Sequence, residues 1–305
     1  MINYLIYGIS IIIILFLFYR AYFKIKYKFW SIQPVNHYHK FYNLYKNKQI
    51  LDFKLPIKNH YVNLIDIQLF DETIIKSYLL INLINLLRNN YLTDKENRIF
   101  YKPKVNNFLP YLMNNKKKSI ICVYNKDDVI INENNLPLQL YKPVGLITSK
   151  HMNLFINKQY YESFYVDFLV VDKKYRNKQI APSLIQTLYY HQRHIYPNIH
   201  INIFKREDEQ NFIKPLVRFV SYGIDFNTID LNNMISKLNY TNINLLSNII
   251  SKKNFNDFKL LIKTHINYYD LLYIPSTQNL YNLILTHNYF VYTIFNRTNN
   301  VQIGY

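Results

Sequence analysis

Glycine is almost missing from this chain: there are 4 among 305 residues, with 1 cysteine and 1 tryptophan. So small a supply excludes the glycine-rich loops that usually cradle a nucleotide, and no nucleophile elbow occurs either. The lone Cys122 excludes an intrachain disulfide and fits a reducing compartment. It lies in the apolar run 119–124, where a buried structural thiol is the expected role. Acidic residues are also few, 19 against 37 Lys and Arg, for a formal charge of +18. A basic chain suits anionic partners: nucleic acid, lipid headgroups or a phosphorylated cofactor. The basic residues are scattered, without the concentrated stripe or module that nucleic-acid binding needs, so no nucleic-acid partner is expected. The close pairs His37/His39 and His191/His194 lack a third ligand type nearby, and no metal site is expected.

What is present is apolar and aromatic. Hydrophobic residues make up 50% of the chain and charged ones 18%, with 31 Tyr and 20 Phe. Such a chain can bury a core and is not a disordered tail. Asn, Ile, Lys and Tyr are plentiful throughout, a skew that looks like AT-rich coding and is discounted as a functional signal.

Residues 2–19 carry no charge. As a helix they would reach about 27 Å, close to the hydrocarbon thickness of a bilayer. Arg20, Lys24, Lys26 and Lys28 follow at once, whereas a cleaved signal peptide places its positive charge before the apolar run. Positive-inside logic therefore makes residues 1–20 a single-pass transmembrane anchor with the body of the protein on the cytosolic side.

Beyond this anchor the pattern alternates strand and helix. Residues 72–90 read as a helix capped by Asp71, with Ile75, Leu79, Leu80, Leu83, Ile84, Leu86 and Leu87 on its apolar face. Runs 119–124 and 144–148 read as strands joined by a long polar turn. Residues 164–171 read as a buried strand, with Phe164, Val166, Phe168 and Val170 on one face. Tyr165, Leu169 and Val171 take the other, and Asp167 is the one polar intruder. A basic loop leads into a helix opening near Ala181-Pro182 and closing before Pro197. A strand at 199–204, helical material at 230–265 and a hairpin at 289–305 complete the pattern. The tail resembles an incomplete repeat of the first helix-then-hairpin unit.

The stretch Val166-Asp-Phe-Leu-Val-Val-Asp-Lys-Lys-Tyr-Arg-Asn-Lys-Gln-Ile-Ala-Pro-Ser-Leu-Ile185 is the most informative. A buried strand feeds a basic loop that opens a helix. The unpaired first-turn amides, the positive dipole end, Arg176 and Lys178 together suit a pyrophosphate, with a solvated basic turn as the alternative. The same stretch resembles the signature of the N-myristoyltransferases, a strand Asn-Phe-Leu-Cys-Val-His followed by Lys-Lys-Leu-Arg-Ser-Lys-Arg-Val-Ala-Pro. Asp167, Val170, Asp172 and Asn177 depart from it. Phe29-Trp-Ser-Ile-Gln-Pro-Val35 is similar to that family's Phe-Trp-x-Thr-Gln-Pro-Val segment. Leu86-Leu-Arg-Asn-Asn-Tyr-Leu92, with its acidic neighbours, resembles Leu-Leu-Asn-Glu-Asn-Tyr-Val. The three segments occur in family order.

The resemblance implies an α/β (α+β) acyl-CoA N-acyltransferase fold. Its first lobe (21–225) would be full and its second, peptide-binding lobe (226–305) incomplete. It implies myristoyl-CoA as acyl donor and proteins with an N-terminal glycine as acceptors. By the same likeness the backbone amides of Phe168 and Leu169, freed by a bulge, would form the oxyanion hole. Arg176, Asn177, Lys178, Ile180, Ala181 and Pro182 would hold the CoA phosphates. Tyr27, Lys28, Phe29 and Trp30 would close over the cofactor, and Asp94 and Glu96 would face a basic residue of the peptide. In this family the amine's proton goes to the chain's own terminal carboxylate, brought inward by the second lobe. Here the peptide-contacting segment is reduced to Arg218-Phe-Val-Ser-Tyr222, and Tyr305 falls inside a hairpin. Three alternatives stay open: a truncated or split product, another route inward for the Tyr305 carboxylate, or a base supplied by a partner. An acyl-CoA-binding protein without transfer is the runner-up function.

Overall fold

The computed structural model describes residues 2–37, 52–92, 101–131, 137–206, 213–218, 245–296, 298 and 301–304. They fall into two units, one drawn from 1–53 and 206–237, the other from 54–205 and 238–305.

In the first unit, helix α1 (Ile2–Lys26) runs straight through the uncharged segment into the basic collar. It is long and apolar enough to cross a membrane by length and composition. Its described side chains are almost all exposed up to Phe23, which is buried against the rings of Tyr27 and His37 at 5.2 and 5.5 Å. A single helical turn, α2 (Lys28–Ser31), follows, with Phe29 buried and its ring 5.1 Å from that of Trp30. A β-bridge between His37 and Ile213 ties the two stretches of this unit together.

The second unit is built on a mixed sheet. Strands β1 (Ile67–Asp71), β2 (Ile120–Ile131), β3 (Pro137–Ile156), β4 (Gln159–Val171) and β5 (Ile201–Phe204) lie side by side in chain order. The first four pair antiparallel and β5 runs parallel to β4. Strand β7 (Leu271–Pro275) pairs antiparallel with the end of β3. Helices α3 (Ser77–Asn90) and α4 (Val105–Leu112) cover one face, and α5 (Ile180–Ile195) covers the other. The period-2 alternation of the strands decides which side chain meets which helix. Ile121, Val123 and Leu146 pack under α3 and α4, while Cys122, Tyr124, Val144 and Ile147 pack under α5. Burial pushes the Cys122 thiol pKa up, which fits an inert structural cysteine. Farther along, α6 (Phe255–His265) and α7 (Thr277–Leu285) pack through Phe255, Phe258, Leu280 and Ile284. A separate sheet has the order β6 (Leu245–Ile249), β8 (Tyr292–Asn296), β9 (Val301–Gly304).

Several expectations are corrected. Residues 67–71 form β1, so Asp71 ends a strand and its carboxylate accepts from the Thr73 amide at 2.8 Å. The helix therefore starts at Ser77 with Lys76 as its N-cap, leaving Ile75 outside; its other apolar positions are buried as expected. The strands expected at 119–124 and 144–148 are parts of a much longer hairpin, in which β2 continues to Ile131 and β3 runs from Pro137 to Ile156. Between 164 and 171 the expected alternation breaks. Phe164 and Val166 side with Tyr196 and α5, yet Phe168 and Val170 pack under α3 and α4. Of the tail, residues 219–244 lie outside the described residues; in the rest of the helical material expected at 230–265, residues 245–249 instead form strand β6, and only Phe255–His265 is helix.

Candidate functional site

The cause of that break is a β-bulge. Leu146 pairs with Val170 and Thr148 with Asp167, so Phe168 and Leu169 together oppose Ile147. An extra residue in one strand inverts the alternation beyond it. Phe168 accommodates the bulge with φ of 52°, a left-handed backbone that costs an L-residue about 1–2 kcal/mol. As a result Asp167 and Phe168, adjacent in sequence, present their side chains to the same face.

Aromatic rings close around this point. The Phe168 ring lies 5.2 to 6.0 Å from those of Tyr91, Tyr101, Phe108 and Tyr111. The Asp167 carboxylate collects three donors: Tyr91 Oη at 3.0 Å, Tyr111 Oη at 2.8 Å and the Phe168 amide at 2.7 Å. Burial, then the neighbouring carboxylate, raises the pKa of the Tyr111 and Tyr101 phenols, the latter to about 12. Tyr111 itself is fixed by α7, where the buried Asn279 side-chain amide donates to the carbonyls of Tyr111 at 3.2 Å and Met113 at 2.6 Å.

Lys150 points onto the same face. It pairs with Tyr165 across β3 and β4 and is 2% exposed. Its Nζ sits 3.5 Å above the centre of the Tyr111 ring. It has no hydrogen bond or ion pair among the described residues. Burial pulls its pKa from 10.5 down to about 7, with Asp167 opposing.

Just beyond the bulge, Asp172 caps a short turn by accepting from the Lys174 amide at 2.9 Å. The C-terminal end of α3 buttresses the loop: Asn90 Oδ1 accepts from the Lys173 amide, and its carbonyl accepts from Arg176 Nη2, both at 3.0 Å. Asn177 and Gln179 then take φ of 63° and 59°. These are left-handed positions that glycine would hold without strain, and alternating handedness of this kind shapes anion-binding concavities. Gln179 is the N-cap of α5. Ile180 is buried, while Ala181 and Pro182 form the rest of the first turn beside exposed Arg176 and Lys178. Three strained residues within one strand-loop-helix passage are what a ligand-holding segment would retain.

Thus Phe168, Leu169, Arg176, Asn177, Lys178, Ile180, Ala181 and Pro182 lie on one continuous passage of the second unit. The Phe168 amide is occupied by the Asp167 carboxylate. Tyr27, Lys28, Phe29 and Trp30 lie in the first unit. Asp94, Glu96, residues 219–222 and Tyr305 lie outside the described residues. Among the described residues no group of His, Cys, Asp or Glu is arranged to hold a metal ion. Sequence reading missed Lys150, Tyr91 and Tyr111 as site residues. The only signal for Lys150 was a cation in the middle of a strand buried on both faces.

Residues 55–205 match the family described as Myristoyl-CoA:protein N-myristoyltransferase, N-terminal domain. Among curated proteins none matches the chain in sequence. Of solved structures, it is similar to Saccharomyces cerevisiae N-myristoyltransferase with bound myristoyl-CoA, with a TM-score of 0.57 at 16% identity. That alignment covers 90% of this chain and 68% of the yeast chain. A second yeast N-myristoyltransferase structure, with bound myristoyl-CoA and inhibitors, gives a TM-score of 0.59 at 17% identity over 90% and 66% of the two chains. The chain therefore spans about two thirds of the length of these enzymes.

Proposed function

We propose that this chain, which belongs to the protein N-myristoyltransferase family, transfers a myristoyl group from myristoyl-CoA to the N-terminal glycine of proteins. The observation that carries this reading is the passage from bulge to basic loop to helix start. It puts the amides of Phe168 and Leu169 one short loop away from an anion-suited turn.

In this reading Arg176, Lys178 and the first-turn amides of α5 take the CoA phosphates, with Asn177, Ile180, Ala181 and Pro182 shaping the turn. The thioester carbonyl then lies over the bulge, where the Phe168 and Leu169 amides receive its developing negative charge. Since Asp167 Oδ1 now holds the Phe168 amide, the thioester oxygen must displace it. The glycine amine attacks the thioester carbon directly, and CoA leaves as the thiol. That occupied amide also favours a second reading, an acyl-CoA-binding protein that does not turn over.

One experiment separates the two. The purified chain is incubated with myristoyl-CoA and a peptide beginning with glycine, and the peptide is weighed by mass spectrometry. A product heavier by one myristoyl group is expected; acyl-CoA binding without product would favour the second reading, and no binding would overturn both. In the same assay R176A combined with K178A is expected to weaken acyl-CoA binding tenfold or more, about 1.4 kcal/mol. Unchanged affinity would remove the phosphates from this loop.

The exposed apolar helix α1 supports a further part of the proposal: a single-pass anchor with the body of the protein on the cytosolic side. Deleting residues 1–20 is then expected to shift the protein from the membrane pellet to the soluble fraction. Persistence in the pellet would place the anchor elsewhere.

A further inference from the structure

We propose that Lys150 accepts the proton released by the attacking glycine amine, with Tyr111 and Asp167 positioning it at the bulge; this rests on the acyl-transfer reading. Direct attack requires an amine with a free lone pair, whereas a glycine N-terminus with a pKa near 8 is largely an ammonium at neutral pH. A proton acceptor must therefore face the thioester carbon, and it must be able to release that proton again at working pH.

Lys150 stands beside the bulge that the acyl-transfer reading places under the thioester. Its strand partner Tyr165 lies two residues from Asp167, so Lys150 stands diagonally across from the carboxylate on the same face. Tyr111 is a floor common to both: Lys150 Nζ lies over its ring at 3.5 Å, while its hydroxyl donates to Asp167 at 2.8 Å. Asp167 in turn holds the amide of Phe168, the first residue of the bulge. Among the described residues the charged or titratable groups facing Lys150 are Asp167 and Tyr165 from β4 and Tyr111 from α4. Tyr101 and Tyr289 approach Asp167. Burying an ammonium without a hydrogen-bonded counter-ion is costly, and fold stability alone gives no reason to keep a lysine there. The same burial lets the amine be neutral near pH 7, as a working base must be.

The atoms balance. One proton moves from the glycine ammonium to the Nζ lone pair. The freed amine forms the C–N bond, the C–S bond of the tetrahedral intermediate breaks, and the amine's second proton leaves on the CoA sulfur. Lys150 then returns its proton to solvent, and nothing is oxidised or reduced.

The test follows kcat and KM of the full chain in detergent from pH 5.5 to 9, for wild type, K150M and K150R. Acyl-CoA affinity and melting temperature are recorded for each to show that the variants fold. Wild-type kcat is expected to rise with pH and level off near 7. K150M and K150R are expected to lose at least 100-fold in kcat, a usual size for general-base loss, with KM and acyl-CoA affinity nearly unchanged. The limb near pH 7 should vanish in both. A folded K150M within threefold of wild type, or one that keeps the same limb, overturns the proposal and leaves acyl transfer standing. A wild-type chain that makes no acylated peptide overturns the acyl-transfer reading and this proposal together.

Discussion

Replacing Lys150 by methionine is expected to stabilise the fold by about 3–5 kcal/mol at pH 6, a gain that fades between pH 7 and 10.5. The sign follows from where each state holds its proton. The unfolded chain keeps the Lys150 proton up to about pH 10.5, while the folded chain releases it near 7. Between those values the unfolded state binds more protons, so wild-type stability rises with pH. Below pH 7 both states carry the charge, and the full cost of burying an ammonium falls on the native state. Methionine keeps the length and apolar stem of lysine and removes that cost. Denaturant unfolding followed by circular dichroism at pH 6 and pH 10 would read the difference. An equal gain at both values would show better packing rather than a relieved charge. A loss at pH 6 would mean that the cation over the Tyr111 ring stabilises the native state and that the lysine is structural. One substitution that stabilises the protein and removes its turnover would be the pattern of a residue kept for activity at the expense of stability.

Much of the sheet and the helix facing was legible because periodicity reports burial directly. The α3 positions Leu79, Leu80, Leu83, Ile84, Leu86 and Leu87 are read from their spacing and are buried together. Strand β1 escaped because Ile67-Gln-Leu-Phe-Asp71 is short, and its polar and acidic residues read as a helix cap in a single sequence. The bulge escaped for a different reason. Phe164 to Val170 keeps perfect apolar alternation, so nothing local reports that the chain switches faces at Phe168. That switch comes from pairing with Leu146 and Thr148, about twenty residues earlier in the chain. The site divides along the same line. The basic loop and helix start were legible as a contiguous stretch, and likeness to one family supplied its chemistry. The left-handed backbone at Asn177 and Gln179 was not, since the usual flag for it is glycine. Lys150 was hidden by company: in a lysine-rich chain, a cation inside a strand does not stand out until its burial is known.

Gly145→Leu is expected to destabilise the second unit by about 2–3 kcal/mol and to weaken acyl-CoA binding with it. Gly145 lies on β3 directly beneath the start of α5. A Cβ built there would meet Leu184 Cδ1 at 2.9 Å, Ile180 Cγ2 at 3.1 Å and Tyr124 Cβ at 3.2 Å. The first of these is the end of a side chain that can turn away. The other two sit close to backbone, so a larger residue has to lift the first turn of α5 off the sheet. Gly145→Ala adds only the Cβ, and a few tenths of an ångström of movement suffices. Gly145→Leu adds a branched group that finds no space. Because Ile180 opens the helix whose amides would receive the CoA phosphates, the same displacement widens the turn from Arg176 to Pro182. Chemical denaturation and acyl-CoA titration of both variants would read the two effects. Binding should fall in step with the size of the side chain. If Gly145→Leu loses stability but binds acyl-CoA as wild type does, the phosphates are held away from the α5 start. A Gly145→Leu protein unchanged in both would mean that the sheet and α5 can separate freely, and that the close approach at this glycine is not what positions the loop.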